Sequence, residues 1–320
     1  MARLSLQQLK VVDPVLTSVV QRYTNQKFVG DYLFPRVYVD ARSGRLIKWG
    51  KHNFAQYRTR RAPGSPTNRR TIGSYDGNNR FELFQDSIEV EVTREELEEV
   101  NASQVPFNLQ REAVEASMAS IMLNLEIEQA SLATNPANYD PTHVNALGAP
   151  DQFDDPASSI IRLFQVASET IRRKTGQRPN VAVFSPQALL AACDHPEIRA
   201  YLAPTSSAKA TIDDLARILG LERIYEGASV LIDPVDPTET FEDIWSNSVT
   251  IAIVPNNVIS RKSLSYGYTY TLKNYPVAEE PYIDRNHKCW YFPATSERSP
   301  EITSIDAGYL MTNVTSSYPL

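Results

Sequence analysis

The amino-acid sequence predicts a mixed α+β fold, and three observations carry that expectation. Residues Phe81 to Val92 alternate apolar with polar and acidic side chains, with Phe81, Leu83, Ile88, Val90 and Val92 as the apolar set. That is the pattern of a half-buried strand. Asn108 to Thr134 place Val114, Met118, Ile121, Leu125 and Leu132 at helical spacings on one face,. Beyond Ser158, short helices and strands follow one another without a regular βαβ series.

The chain has 320 residues, 42% hydrophobic and 22% charged. It is long enough for a sizeable core in one large domain or two modest ones. Twenty-one prolines against twelve glycines favour stiff extended segments over flexible linkers. A formal net charge of −6 argues against a dedicated nucleic-acid binder, which normally has a basic domain. No apolar run approaches the roughly 20 residues that span a bilayer. The N-terminus lacks the apolar core of a signal peptide. Cys193 and Cys289 form no CxxC, so neither a disulfide framework nor a zinc knuckle is expected.

Charge is laid out in blocks. The basic residues Arg42, Arg45, Lys48, Lys51, Arg58, Arg60, Arg61, Arg69, Arg70 and Arg80 share their segment with one acid, Asp76. Glu82, Asp86, Glu89, Glu91, Glu95, Glu96, Glu98 and Glu99 follow, relieved only by Arg94. The basic segment has a hairpin outline. Arg45 to Trp49 reads as one strand, Ala62 to Pro66 as a rigid turn, and Arg70 to Tyr75 as the start of the return. Its apolar content is too thin for a private core, so it needs a surface to lie on.

After the Phe81–Val92 strand, Thr93-Arg-Glu-Glu96 fits a capping box that starts a short helix, interrupted at Pro106. Asn108 caps the long helix, about 40 Å at 1.5 Å per residue, which ends before Asn135-Pro136. Ser158 to Lys174 reads as an amphipathic helix with Ile160, Ile161, Phe164, Val166, Ala167 and Ile171 inward, stopped at Gly176. Asn180 to Phe184 is a buried strand, and Ser185-Pro186 opens a helix to about Ala192. Asp213 to Leu219 is a helix ended by Gly220. Val230–Ile232, Val249–Val254, Tyr266–Leu272, Trp290–Phe292 and the stretch Ile302–Met311 supply further strands.

No catalytic signature emerges. His52, His143, His195 and His287 lack partners at metal-ligand spacing and read as polar surface or loop residues. There is no GxSxG elbow, Walker loop or GxGxxG. Asp233-Pro-Val-Asp236-Pro reads as a rigid turn rather than a cation site. No catalytic, cofactor-binding or metal residue is expected, and no cofactor. The arginine-rich segment is the strongest feature. As a nucleic-acid binder it would neutralise phosphates and stack bases on Phe54 or Tyr57. As an interface its arginines would meet carboxylates of another copy. The adjacent acidic block favours the second reading, with Glu89, Glu91, Glu95, Glu96, Glu98 and Glu99 as the partner surface.

The order of segments resembles the tailed-phage major capsid proteins of the Hong Kong 97 fold over nearly the whole chain. Gly30 to Val39 followed by Gly44 to Trp49 resembles the N-terminal arm leading into the extended loop. Asn108 to Thr134 resembles the long spine helix. Asn180 to Leu190 with His195 to Ile198 resembles the strand-helix passage of the axial domain, continued by Leu215–Ile224, Gly227–Val230, Ile244-Trp245 and Ile251–Pro255. Ile302 to Leu310 resembles the last strands of the peripheral domain. The likeness lies in segment order, not in one sharp motif.

The resemblance implies an arm at 1–39 and an extended loop at 40–81. It implies a peripheral domain at 82–150 and 285–320, with the spine helix at 108–134, and an axial domain at 151–284. It implies self-assembly into pentamers and hexamers of an icosahedral shell in the virion, built in the host cytoplasm around double-stranded DNA that is held without sequence-specific contacts. No membrane is involved. A separate scaffolding protein and a portal are expected, because no long helical leader precedes the arm, and a decoration protein is a further candidate partner. Lys48 and Lys51 lie in the loop that some members cross-link, but no motif here supports that reaction. The rivals are an encapsulin-like nanocompartment shell, separated by particle content; another virion component, separated by copy number; and a soluble enzyme, separated by a pocket with convergent polar groups.

Overall fold

The computed structural model describes residues 13–22, 28–46, 60–61, 63–64, 67, 80–102, 108–203, 209–232, 241–256 and 263–316. A nine-residue helix α1 (Pro14–Arg22) and a single turn α2 (Gly30–Leu33) lead into β1 (Arg36–Val39). Strand β2 (Ser43–Arg45) pairs antiparallel with β3 (Arg80–Glu82). The expected strand at 81–92 is in fact two, β3 and β4 (Phe84–Thr93), broken at Leu83. The Leu83 N–H turns away to the Arg42 carbonyl, and the break lets one segment serve two sheets. Of the strand expected at Arg45–Trp49, only Arg45 is paired, as the last residue of β2; Leu46 is described outside the strand, and residues 47–50 lie outside the described set.

The capping box forms as expected: Glu96 N–H donates to Thr93 Oγ1, and Thr93 N–H to Glu96 Oε2, starting α3 (Arg94–Ala102). Asn108 Oδ1 accepts from Arg111 N–H and opens the 26-residue α4 (Leu109–Thr134). Two 3-10 turns, Pro136–Asn138 and Pro141–His143, lead to β5 (Val144–Ala146). Helix α5 (Ile160–Thr175) ends at Gly176 in the left-handed region, φ 73°, which suits a residue without Cβ. Its Val166 is 52% exposed, not inward as the periodicity implied. At 3.6 residues per turn it falls roughly 130° from the centre of the stripe formed by Ile160, Phe164, Ala167 and Ile171, on the solvent side of the helix,.

Next come β6 (Val181–Phe184), α6 (Pro186–Asp194), α7 (Pro196–Leu202), α8 (Ile212–Leu219), β7 (Arg223–Glu226), β8 (Val230–Ile232), β9 (Phe241–Asp243) and β10 (Ser248–Ala252). Helix α7 was not anticipated; the His195 side chain caps it by accepting from Glu197 N–H. The chain finishes with β11 (Gly267–Leu272), β12 (Val277–Ala278), β13 (Tyr282–Asp284), β14 (Cys289–Ile302), a 3-10 turn at Ile305–Ala307 and β15 (Gly308–Thr312). The short strand expected at Trp290–Phe292 is part of the 14-residue β14.

Two sheets organise these elements. In the first, β14 pairs along one edge with β4 and along the other with β13, β12 and β11, and β1 adds to β11 in parallel. The second runs β5-β15-β10-β6-β7. The sheets interleave in sequence: β11 to β13 join the first, whereas β5 and β15 join the second. Helix α4 packs on β4 and β14, with Val114, Met118, Ile121 and Leu125 in one cluster with Val92, Phe292 and Leu16. Its C-terminal Ala130 and Ala133 belong to the larger core of the second sheet. The helix therefore buries two faces, which the single predicted stripe did not show.

Buried polar groups lock this arrangement. Glu126 is 1% exposed. Its oxygens accept from Val29 N–H (3.0 Å), Gly30 N–H (2.9 Å) and Trp245 Nε1–H (2.7 Å). Burial pushes this carboxyl above its usual range, against the pull of those three bonds,. Two of the histidines expected on the surface or in loops are buried at connections between elements. His195 lies within reach of Ser158 Oγ at 3.2 Å. His143 donates its Nδ1–H to the Gly308 carbonyl at 2.7 Å, beside the Tyr309 ring. Among the described residues, no helix is long and apolar enough to cross a membrane, and both cysteines are free thiols.

Two expectations follow. Glu126→Gln puts an amide donor against a buried N–H and should cost about 1–3 kcal/mol, the price of one unsatisfied buried donor, read from urea unfolding of the unassembled chain. Burial lowers the His143 pKa, with Lys174 adding to it, while the Gly308 carbonyl, Asp306 and Asp140 oppose. The folded state thus resists protonation that the unfolded chain accepts, so stability is full above roughly pH 6.5 and falls as the pH drops below it. His143→Asn should flatten that part of the pH profile of unfolding.

Candidate functional site

The site is built where the basic segment leaves the first sheet. The β2–β3 pairing brings residues 43–45 and 80–82 side by side, so the segment departs and returns at adjoining positions. An apolar patch holds this base down: Leu46, Phe81 and Leu83 pack on Tyr268 and Tyr270. The Phe81 and Tyr270 rings stack at 4.5 Å and 5°. Gly44 is needed there, since a Cβ would sit 2.7 Å from the Phe81 ring.

Arg42 fixes the base electrostatically. Its Nε and Nη2 donate to Glu297 Oε2 and Oε1 at 2.7 and 2.6 Å. The Glu297 side chain is buried whereas that of Arg42 is 68% exposed. The guanidinium holds the Glu297 carboxyl below its usual range. Sequence reasoning missed Glu297, because the residues around it in β14 are buried without the alternation that marks a strand face. It also missed Arg298, which pairs with Asp86 (2.8 Å) and Glu128 (3.1 Å) and donates to the Ile121 carbonyl. Glu126 had a legible signal: it continues the Met118–Met122 row at a spacing of four, a carboxylate in an apolar stripe.

Of the other basic candidates, Arg45, Arg60 and Arg61 are exposed, and Arg61 Nη1 reaches Thr67 Oγ1 at 3.4 Å. Lys48, Lys51, Arg58, Arg69 and Arg70 lie outside the described residues. The acidic candidates are all exposed. Glu89 and Glu91 project from β4 on the side opposite Val92, hence away from α4,. Glu95, Glu96, Glu98 and Glu99 lie on α3, where Glu96 closes the capping box and Glu98 pairs with Arg94 at 2.7 Å. The structure thus gathers the carboxylates on one strand and the helix that follows it.

Among the described residues no group of histidine, cysteine and carboxylate side chains is arranged to hold a metal ion. A cavity of about 310 Å³ lies between α1 and the turn after β11, lined by Gln21, Arg36, Tyr38, Met122 and Tyr275 among others. Its Arg36 is already committed to Asp31 at 2.7 Å, and no nucleophile-base pair faces it.

No protein-family profile matches the chain. It is 31% identical to the major capsid protein of Burkholderia phage BcepMu over 321 residues, covering 98% of this chain and 99% of that one. It is 25% identical to the major capsid protein of Pseudomonas phage JBD67 over 236 residues, 69% of each. Among solved structures, a phage-related protein from Bordetella bronchiseptica superposes with a TM-score of 0.81 at 28% identity, covering 95% of this chain and 98% of the other. The SrpI encapsulin of Synechococcus elongatus superposes with a TM-score of 0.55 at 12% identity, covering 100% and 95%, a likeness of fold alone. Both the end-to-end sequence match and the shared fold lead to one conclusion: the chain belongs to the tailed-phage major capsid proteins, a non-enzymatic family that forms the virion capsid, with the Hong Kong 97 fold.

Proposed function

We propose that copies of this chain form pentamers and hexamers that close an icosahedral shell around double-stranded DNA. In this reading the basic segment of one copy lies on the acidic strand-and-helix face of the next. The single observation that carries it is the base of the segment. It is anchored by β2–β3, the Phe81 stack and the Arg42–Glu297 pair, yet it carries exposed arginines without a carboxylate partner among the described residues. Arg42 then acts as the anchor, and Arg45, Lys48, Lys51, Arg58, Arg60, Arg61, Arg69 and Arg70 supply the contact. Glu89, Glu91, Glu95, Glu96, Glu98 and Glu99 receive it. Such pairs steer encounter and fix register more than they add raw affinity, and closed symmetry multiplies modest contacts.

The proposed division into arm, extended loop, peripheral and axial domains follows the sheets rather than the limits expected along the chain. Residues 267–284, expected in the axial domain, share a sheet with β4 and β14 and go with the peripheral domain. Strands β5 and β15 share a sheet with β6, β7 and β10 and go with the axial one. Helix α4 is the spine. A scaffolding protein, a portal and a decoration protein are further partners such a shell would take, and the DNA is held without sequence-specific contacts.

Purified particles test the content: packaged double-stranded DNA supports this reading, and particles filled with a protein cargo refute it. For the contact itself, Arg60→Glu with Arg61→Glu should leave the chain folded by circular dichroism and abolish closed shells in negative-stain micrographs. Normal shells from that variant would refute the interface.

A further inference from the structure

We infer that Tyr282, Tyr291, Glu89 and Glu91 form an arginine receptor on the outer face of the first sheet, occupied by the basic segment of a second copy. This rests on the loop-to-acid reading above and names the part of that surface that recognises the guanidinium.

The receptor is assembled by register. Tyr282 on β13 is opposite Tyr291 on β14, and Tyr291 is opposite Glu91 on β4. The two rings stack at 5.3 Å and 21°. Tyr282 Oη–H donates to Glu89 Oε2 at 2.8 Å, and Tyr291 Oη–H to Glu91 Oε2 at 3.5 Å. The hydroxyls therefore tether both carboxylates beside an aromatic surface, and Tyr282 remains 47% exposed. Neither Glu89 nor Glu91 has an ion-pair partner among the described residues. The bond to Glu89 raises the Tyr282 pKa, so the phenol stays neutral and keeps donating.

A flat ring beside two carboxylates suits a planar guanidinium, which stacks on the ring and donates in a fork to the acids. An ammonium is a point charge and gains less from either. The chain supplies this chemistry. Segment 42–80 holds eight arginines and two lysines against one acid, while the remaining positions hold 37 acidic residues against 22 basic ones. Arg60 and Arg61 precede the turn at Pro63-Gly64 and touch no carboxylate of their own chain among the described residues. Identical copies meeting through unlike patches satisfy both sets at once.

The test uses the full chain and reads the protein concentration at which shells appear, by sedimentation and negative-stain microscopy, with circular dichroism as the folding control. Tyr282→Leu with Tyr291→Leu should raise that threshold about fivefold, the worth of one exposed cation–π contact. Tyr282→Phe with Tyr291→Phe keeps the rings and should stay near wild type; a rise equal to that of the Leu pair overturns stacking as the cause. Glu89→Arg with Glu91→Arg should abolish shells, and adding Arg60→Glu and Arg61→Glu to that variant should restore them. If the Leu pair assembles as wild type while the Glu89/Glu91 reversal blocks assembly, the tyrosine receptor is refuted and the loop-to-acid contact stands. If reversing Arg60 and Arg61 has no effect while reversing the glutamates does, the occupant is another protein and not a second copy. If neither reversal matters, both readings fall.

Discussion

Glu126 accepts three N–H groups from two distant parts of the chain: Val29 and Gly30 at the start of α2, before β1, and Trp245, after β9. A buried carboxylate is costly unless its lone pairs are filled. The donors must therefore be in place together. Gly30 and Gly227 show how tightly the site closes, since a Cβ on the first would collide with Gln129 and on the second with Trp245. Gln129 adds a second polar tie, donating to Asp31 and Thr269. Helix α4 is thereby held at a fixed axial position against α2, the first sheet and the Trp245 segment. Apolar packing alone would resist translation less sharply, because it is not directional.

The same economy governs β14. Consecutive residues of a strand face opposite sides, and here they are a buried acid and a buried base. Glu297 faces the base of the basic segment through Arg42. Arg298 faces α4 and β4 through Glu128, the Ile121 carbonyl and Asp86. One strand thus fixes the spine helix on one side and the loop base on the other. Neither pair is by itself evidence of high stability, since desolvation offsets the Coulomb gain. What they supply is register: a slip of one residue would exchange acid and base between the two faces and leave both charges unpaired.

Much of this was legible where a local rule decides structure. The Asn108 and Ser185 caps, the Thr93–Glu96 capping box and the Gly176 and Gly220 stops all act within four residues of where they are read. The long helix and the strands at Val181, Val249 and Gly267 were legible because apolar patterning reports burial directly. What failed was non-local. A three-residue Trp290–Phe292 strand became a 14-residue β14 because its neighbours on both edges supply the pairing that polar residues such as Ser296, Glu297 and Arg298 do not advertise. The burial of His143 and His195, read as surface or loop groups, was missed because nothing local announces a carbonyl at Gly308 or a hydroxyl at Ser158. The charge blocks were visible as sequence, but that Tyr282 and Tyr291 stand beside Glu89 and Glu91 follows only from the register of β13 and β4 on β14.

The segregation of charge then acquires a physical reason. A monomer gains nothing from collecting arginines in one segment and carboxylates in the rest, because like charges held close repel. Interspersing both signs would cost less. Segregation becomes favourable only when another molecule presents the opposite set, and in a shell of identical chains every copy presents both. The pairs Arg42–Glu297 and Arg298–Asp86/Glu128, each with one buried partner, are satisfied within the chain. In the assembly proposed above, the exposed arginines of one copy meet the Glu89–Glu99 carboxylates of the next. Screening weakens exposed pairs beyond a Debye length of about 8 Å at physiological salt, so such contacts direct assembly at close range. Closed symmetry, rather than any single strong bond, then holds the shell.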